Sequence, residues 1–504
     1  VVWNQHKRLR FRLIEIVGLS VILVSFSAYA APLEDFIVTA QKREQSLSDV
    51  PISIVAVSGE AMRTANITRM DELAPTVPNF QFAEAVSGSD NIFMRGIGSG
   101  INFGFEQAVG QVVDGFFFGR SRFGRAAFLD LERVEVLRGP QGAIIGKNTT
   151  AGALNITTAG PTDELEGWVT PTWEFEGAEG GSVEGAVSGP LGERFRGRVA
   201  LRYQDSDGWV DNVQTGAVDQ ERKDFTGRVK LGMDVTDNIE ATLMYQYGDY
   251  ERRGRTRQLS LCGDALRNFD PDGPGPAPAG ALFGQLVAAG EDCTANFSRN
   301  IVNFRNGSPT PEVFDLEFNI LGLTLEWQIG DLQLTSLTGY SDYDATDEFD
   351  IDATFAEIGG SSVFEDYSQF SQELRAASET GGSFDYIAGL YFLLTEHDVD
   401  FTRHFAAVPP PLMPASNLIR TSQESTTLAG FGQVTWHVNE QWDINVGGRI
   451  TWEDKEAEQL QTPTALYSNS SINLMPPAGP AAAGHALMQD RDETDFSPQV
   501  DVQW

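Results

Sequence analysis

The chain has 504 residues, with 71 acidic against 36 basic side chains and a net charge of −35. That balance argues against a nucleic-acid binder, which needs a basic face to displace counterions. Hydrophobic content is an ordinary 41%. Past the first thirty residues no apolar run approaches the roughly 20 residues that a membrane helix needs. A chain that crosses a membrane with strands passes both filters, because half of every such strand is polar.

In chain order, Lys7, Arg8, Arg10 and Arg12 precede an apolar stretch, Ile16–Phe26, and a small-residue cleavage site, Ala28-Tyr29-Ala30. This reads as a secretory signal over residues 1–30, and export makes disulfides permissible. Residues 31–47 form a short leader. From 48 to 161 the texture is compact and Gly-rich, with Ile52–Val57 expected as a strand and Gly59–Ala65 and Arg69–Ala74 as short helices. Val109–Phe118 and Arg133–Leu137 are expected as further strands.

Residues 162–504 read as amphipathic strand pairs. In one, Trp442, Ile444, Val446, Gly448, Ile450 and Trp452 form one face, and Asp443, Asn445, Arg449, Thr451 and Glu453 the other. The same period places Phe225, Val229, Leu231, Met233 and Val235 against Arg228, Lys230 and Asp234. A helix would need apolar residues every three or four positions. Strands are expected at 168–175, 182–189, 195–209, 223–236, 238–252, 314–329, 332–349, 366–379, 384–401, 424–438, 442–458 and 493–504.

Their connections alternate. Turn chemistry at Pro190–Glu193, Thr236–Asn238, Gly330-Asp331, Thr380–Ser383 and Asn439–Gln441 makes one set short. Long connections near 210–222, 253–313, 350–365, 402–423 and 459–492 make the other, with Glu176–Gly181 the one short exception. Tight turns on one side and long loops on the other are the pattern of an outer-membrane β-barrel. The fold class expected is therefore a transmembrane antiparallel β-barrel, about 12 strands of which are present, with an N-terminal α/β domain. The opening Val1 and the strand-like ending at Trp504 suggest a fragment of a longer protein.

Cys262 and Cys293 fall in one long loop and are expected to bridge; two unpaired or metal-binding thiols are the alternative. His397 and His404 read as solvent-facing, with contact to a metal or haem iron as the alternative, and no metal site is assigned. The acids from Asp342 to Asp366 read as a solvated loop, with a cation site as the alternative. Enzyme signatures fail. Arg95–Gly100 has the wrong glycine spacing for a dinucleotide loop, and no Gly-x-Ser-x-Gly or His-Glu-x-x-His occurs.

The run Glu132–Gly142, Glu-Arg-Val-Glu-Val-Leu-Arg-Gly-Pro-Gln-Gly, continues through Gly146-Lys-Asn148 to Gly152-Ala-Leu-Asn155. It closely resembles the plug signature of TonB-dependent outer-membrane receptors. Met94-Arg95-Gly96 and Val113-Asp114-Gly115 resemble two further plug motifs. Glu34–Ala40 looks like the TonB box, and Lys42-Arg-Glu-Gln with Asp49-Val-Pro51 resembles what usually follows it. The departures are small: Ala143-Ile-Ile145 where an aromatic often precedes the glycine, and Ala153 where a second glycine is common.

The resemblance implies a plug at 48–161 inside the lumen of a barrel of about 22 strands when complete. It implies that Asp35, Phe36, Ile37, Val38 and Thr39 bind a TonB-type inner-membrane energy-coupling complex, as a strand added to a sheet edge. Arg95, Gly96, Asp114, Gly115, Glu132, Arg133, Glu135, Arg138, Gly139, Gly142, Gly146, Asn148 and Asn155 are its plug-motif and plug–barrel residues. Phe103, Phe105, Phe116, Phe117 and Phe118 are candidates for a substrate-receiving surface. The function implied is energised import of a scarce, bulky nutrient, by family habit most often a ferric siderophore, with no resident cofactor and no enzymatic activity. Cobalamin, haem, oligosaccharides and aromatic compounds stay open as cargo. The expected setting is a monomer in outer-membrane lipid; a passive porin or surface adhesin is the alternative of another class.

Overall fold

The computed structural model describes residues 36–39, 41–43, 45–84, 90–99, 106–175, 179–211, 218–254, 312–350, 359–405, 415–439, 441–463 and 485–504. The expected signal segment, Asp35, Phe103, Phe105, Cys262, Cys293 and the tips of all five long connections lie outside the described residues. The chain divides into two units, Val1–Val38 with Glu44–Val50, and Thr39–Arg43 with Pro51–Trp504.

In the first unit, β1 (Ile37–Val38) pairs antiparallel with β2 (Gln45–Ser46), Ile37 opposite Ser46 and Val38 opposite Gln45. The Leu47 N–H closes the turn on the Phe36 carbonyl at 2.8 Å. Two adjacent β-branched residues favour this extended backbone.

In the second unit the plug begins with β3 (Ser53–Ser58), α1 (Gly59–Thr64) and α2 (Met70–Leu73). The Ser58 hydroxyl caps α1 by accepting from the Ala61 N–H. A three-stranded sheet follows, β4 (Phe80–Glu84), β5 (Asp90–Met94) and β6 (Ile97–Gly98). The remaining elements are β7 (Val109–Val113), β8 (Phe116–Phe118), α3 (Phe123–Ala126), β9 (Leu131–Arg138) and β10 (Gly152–Thr158). They complete a five-stranded sheet in the order β3-β9-β10-β7-β8, parallel only between β10 and β7. Val109–Phe118, expected as one strand, is two. Asp114 and Gly115 take φ of 50° and 85° and turn the chain back between them. All five residues of β7 are buried, so the plug shows none of the alternation that marks a half-exposed strand.

The wall is a single antiparallel sheet of twelve strands, each paired with its neighbours along the chain. It runs through β11 (Glu166–Glu174), β12 (Gly180–Pro190), β13 (Phe195–Ser206), β16 (Glu221–Thr236), β17 (Ile239–Arg253) and β18 (Val313–Ile329). It continues with β19 (Leu332–Asp350), β20 (Gly359–Ser378), β21 (Phe384–Phe405), β22 (Ala415–Asn439), β23 (Trp442–Pro463) and β24 (His485–Gln503). A two-residue hairpin, β14 (Val210–Asp211) with β15 (Val218–Asp219), sits between β13 and β16.

Burial in the wall is the reverse of a soluble protein. On β23 the polar Asn445 and Arg449 are 3% and 2% exposed, while Val446 and Ile450 are 51% and 55% exposed. Only a surface surrounded by lipid favours that inversion. Trp327, Phe384, Trp436, Trp442 and Trp504 stand on the exposed face near the short turns, with Phe384 and Trp436 stacked 6.1 Å apart. They form the aromatic girdle of a membrane–water boundary.

The acid-rich segment expected as a loop is largely strand. β19 runs to Asp350, one residue past its expected end, while β20 starts at Gly359, β22 at Ala415 and β24 at His485, each several residues before the expected start. On these ends the outward positions switch from apolar to charged, as in Glu396, Asp398 and Asp400 after Leu390, Phe392 and Leu394. The backbone ladder continues where the apolar period stops.

Candidate functional site

Two groups of polar contacts organise the second unit around the plug: one holds Thr39–Arg43, the other seals the plug to the wall.

The segment Thr39–Arg43 is pinned at both ends. The Thr39 N–H donates to Glu135 Oε1 at 2.8 Å, and Thr39 Oγ1 accepts from Arg133 Nη2 at 3.0 Å and Asn155 Nδ2 at 3.2 Å. Asn155 Nδ2 also reaches Glu135 Oε2 at 2.9 Å, so the fully buried Glu135 is satisfied on both oxygens. Three residues on, Lys42 takes φ of 59° and sets its ammonium 2.5 Å from Glu373 of β20 and 4.5 Å above the Phe431 ring. Burial pulls the Lys42 ammonium down to about 8, against the Glu373 carboxylate that favours its charge. Arg43 lies 4.0 Å from Asp385, and Gln41 accepts from Gln433 at 3.3 Å.

The seam between plug and wall is built from buried charges. Arg122 donates to Glu365 Oε2 at 2.7 Å, Tyr343 donates to Oε1 at 2.5 Å, and His397 Nε2 lies 2.9 Å from Oε1. Arg120 donates to His397 Nδ1 at 2.6 Å. A guanidinium can only donate, so Nδ1 is the acceptor and the ring proton sits on Nε2, facing Glu365. Elsewhere Arg198 grips Asp130 with two bonds of 2.6 and 2.7 Å, and Lys230 meets Asp114 at 2.9 Å. Lys147 bridges Glu106 at 3.0 Å and Glu453 at 2.5 Å, while Lys455 reaches Glu106 at 2.8 Å. Burial pushes the Glu106 carboxyl up, but the two ammonium groups beside it prevail and hold it down to about 2. The nearly fully buried pairs, Arg122–Glu365 and Arg198–Asp130, cost about 3–5 kcal/mol to break from one side, because the surviving charge stays buried.

The expected site residues divide between these groups. Asp114 and Gly115 meet the wall, the former through Lys230 and the latter against Leu337. Gly142 and Gly146 allow close approach: a Cβ there would lie 3.1 Å from Ser497 Oγ and 2.9 Å from Arg449 Cζ. Arg133, Glu135 and Asn155 face Thr39 instead, and Glu132 is exposed beside Arg133. Arg138 ends β9 opposite Ser53 and Gly152. Arg95, Gly96, Gly139 and Asn148 occupy turns at positive φ. Of the box, Ile37 and Val38 pair in β1, Phe36 closes its turn, and Asp35 lies outside the described residues.

Phe116, Phe117 and Phe118 do not form a receiving surface. They are 6% exposed or less, with the Phe116 ring against Gly322 and Gly339 of the wall and Phe117 beside Tyr391 and Leu393. Three consecutive large apolar side chains cost too much in water to remain uncovered. His397, expected in solvent, is 2% exposed within the Arg120–Glu365 network. Of the principal seam residues, Arg120, Arg122 and Arg198 were not singled out from sequence, Lys147 stands only within the plug signature, and Glu365 only among the acids expected as a solvated loop. Strand parity is the signal for Glu365, which shares the inward face of β20 with Tyr367 and Gln369.

Comparison with known proteins agrees with this arrangement. The family model for the TonB-dependent Receptor Plug Domain matches residues 46–153, and that for the TonB dependent receptor-like beta-barrel matches 263–504. The pesticin receptor of Yersinia pestis is 26% identical over 467 residues, covering 90% of this chain and 61% of that protein. A vitamin B12 transporter of Photobacterium profundum is 26% identical over 45% of this chain and 37% of its own length. Among solved structures, the ferric yersiniabactin uptake receptor of Yersinia pestis superposes with a TM-score of 0.70 at 19% identity, covering 90% of this chain and 62% of that one. The ferric-catecholate import receptor Fiu of E. coli gives 0.61 at 12% identity over 91% and 68%. The chain thus spans about three-fifths of the pesticin receptors it matches. With both family models placed in order and the plug bonded to the inner face of the wall, the chain belongs to the TonB-dependent receptors of the Gram-negative outer membrane.

Proposed function

We propose that this protein imports a scarce, bulky nutrient into the periplasm, a ferric siderophore or other iron chelate, using work delivered by a TonB-type inner-membrane complex that grips residues 35–39. The outer membrane has no nucleotide supply and no useful ion gradient, so uphill transport there needs a mechanical partner. Phe36–Thr39 is short and β-prone, fit to be gripped as an added strand. The observation that carries the reading is the seam. A plug held to the wall's inner face by Arg122–Glu365, Arg198–Asp130 and Lys147–Glu453 obstructs the conduit and yields only to applied work. For the cargo, solved receptors named for ferric yersiniabactin and ferric preacinetobactin match this fold over 90% or more of the chain.

The test is uptake of radiolabelled ferric chelates by iron-starved cells carrying the receptor or a variant lacking residues 34–40. Uptake should depend on the receptor and vanish with the deletion. Undiminished uptake in the deletion variant would revive a passive barrel, and induction by a sugar with no response to iron would replace the cargo.

A further inference from the structure

Between β8 and α3 the plug turns the connection Gly119–Arg122 toward the wall. Gln369 of β20 holds its start: the Gly119 N–H donates to Gln369 Oε1 at 3.4 Å, and Gln369 Nε2 donates to the Phe117 carbonyl at 2.7 Å. Two arginines hold the rest. Arg122 donates to Glu365 Oε2 at 2.7 Å, and Arg120 to His397 Nδ1 at 2.6 Å. Of these contacts only the last depends on a group that ordinarily titrates near neutral pH.

His397 lies on β21 at the level of the charged, outward Glu396 and Asp398, beyond the outward apolar Leu390, Phe392 and Leu394. It is therefore clear of the membrane's apolar band. Its ring faces Arg120 and Arg122 from the plug, Glu365 and the Tyr367 ring from β20, and Tyr343 of β19, whose hydroxyl shares Glu365. Opposite it on β22 is the uncharged Gln423. Burial pushes the imidazole below its ordinary range, the Glu365 carboxylate opposes that fall, and the two guanidinium groups add to it.

The neutral ring suits its partners, with Nδ1 accepting from Arg120 and Nε2–H donating to Glu365. A second proton can go only on Nδ1, where it points at a guanidinium that has no lone pair to receive it. There a donor would face a donor and a cation a cation. The same proton turns the bond to Glu365 into an ion pair, which strengthens it. Protonation thus acts on the two sides of the ring in opposite directions.

We infer that His397 is a proton-operated latch on the plug: on protonation it tightens on Glu365 and releases the Arg120 arm, while the Arg122 and Gln369 attachments stay. The Arg120 contact is intact above about pH 6.5, where the ordinary imidazole titrates, and is lost as pH falls through the lower folded value. Acid therefore loosens one corner of the plug whatever the receptor carries.

Hydrogen exchange of the full purified chain, corrected for intrinsic rates and followed from about pH 8 to pH 5, tests the latch. Protection of residues 118–125 should fall about tenfold or more as pH drops, the worth of one charge-assisted hydrogen bond. His397→Gln offers an acceptor and a donor but gains no proton, so its profile should be flat. The reciprocal effect is read by following the imidazole signal of His397. Its midpoint should rise by about one pH unit in Arg120→Gln, where the opposing guanidinium is gone. Flat protection in the wild type, or the same decline in His397→Gln, overturns the inference. So does a midpoint that stays or falls in Arg120→Gln, a readout that does not require the histidine variant to fold.

Discussion

The backbone N–H of Thr39 donates to the Glu135 carboxylate at 2.8 Å across ninety-six residues of sequence. Arg133 and Asn155 close around the same two groups. A neutral amide in place of Glu135 keeps the shape but loses the charge that shortens these bonds. Hydrogen bonds to charged groups contribute about 1.5–3 kcal/mol each, and 1.4 kcal/mol is a factor of ten in an opening equilibrium. In Glu135→Gln the Thr39 amide should therefore exchange with solvent hydrogen about tenfold faster or more. Unchanged protection would mean that some other contact holds Thr39.

Lys42 offers a pH handle on the same segment. Burial has drawn its ammonium down to about 8, and the Glu373 carboxylate 2.5 Å away opposes that fall. Removing the carboxylate leaves burial unopposed, so Lys42 in Glu373→Gln should lose its proton at lower pH than in wild type. The sign is fixed by which form is favoured: the pair is intact below the folded value and dissolves as pH rises through it. Amine labelling of Lys42 as a function of pH should show a midpoint near 8 in the wild type and a lower one in the variant. A midpoint at the free-lysine value would show that the ammonium is not buried.

Glu106 gives the opposite window. Its carboxyl is held at about 2 by Lys147 and Lys455 despite the burial that pushes it up, against 4.5 for the ordinary group. A depressed carboxyl stabilises the docked plug fully above pH 4.5, and the contribution is lost as pH falls toward 2. With a quarter of the side chain exposed and partly screened, that contribution is about 2 kcal/mol. Protection of residues 106–148 against hydrogen exchange should decline between pH 4.5 and 2 in wild type and be flatter in Glu106→Gln. Identical profiles would remove Glu106 from the seam.

How much of this was legible in the sequence depends on whether a residue's role is local. Gly115 and Gly146 take positive φ, a demand that a single glycine announces. The inverted faces of Trp442–Glu453 were equally plain, because period two needs only neighbours along one strand. Glu365 and His397 were not legible. They meet Arg122 and Arg120 across 243 and 277 residues, and nothing local distinguishes them from solvated acids and a surface imidazole. The parity of β20 and β21 points both inward, but that parity is hidden where outward Asp366, Glu396 and Asp398 replace the apolar members. Phe116–Phe118 misled for a related reason. Aromatics after a turn suit either a ligand surface or a packing face, and only the wall strands, two hundred residues away, decide between them.

The Arg122–Glu365 pair should carry the largest single share of plug docking. Both side chains are almost wholly buried, and Tyr343 and His397 crowd the same carboxylate. Arg122→Met would leave Glu365 with His397 as its nearest basic partner, and Glu365→Leu would leave Arg122 without its closest acid. Each single change should cost about 3–5 kcal/mol, since the remaining charge keeps its desolvation penalty. The double variant replaces both with apolar groups and should cost much less than the two singles summed. The coupling in such a cycle is expected at about 2 kcal/mol or more, against roughly 0.5 kcal/mol for independent sites. Urea-dependent proteolysis of the plug in wild type, both singles and the double measures it. Additive losses would show that the two side chains stabilise the seam separately, and that the carboxylate is held chiefly by Tyr343 and His397.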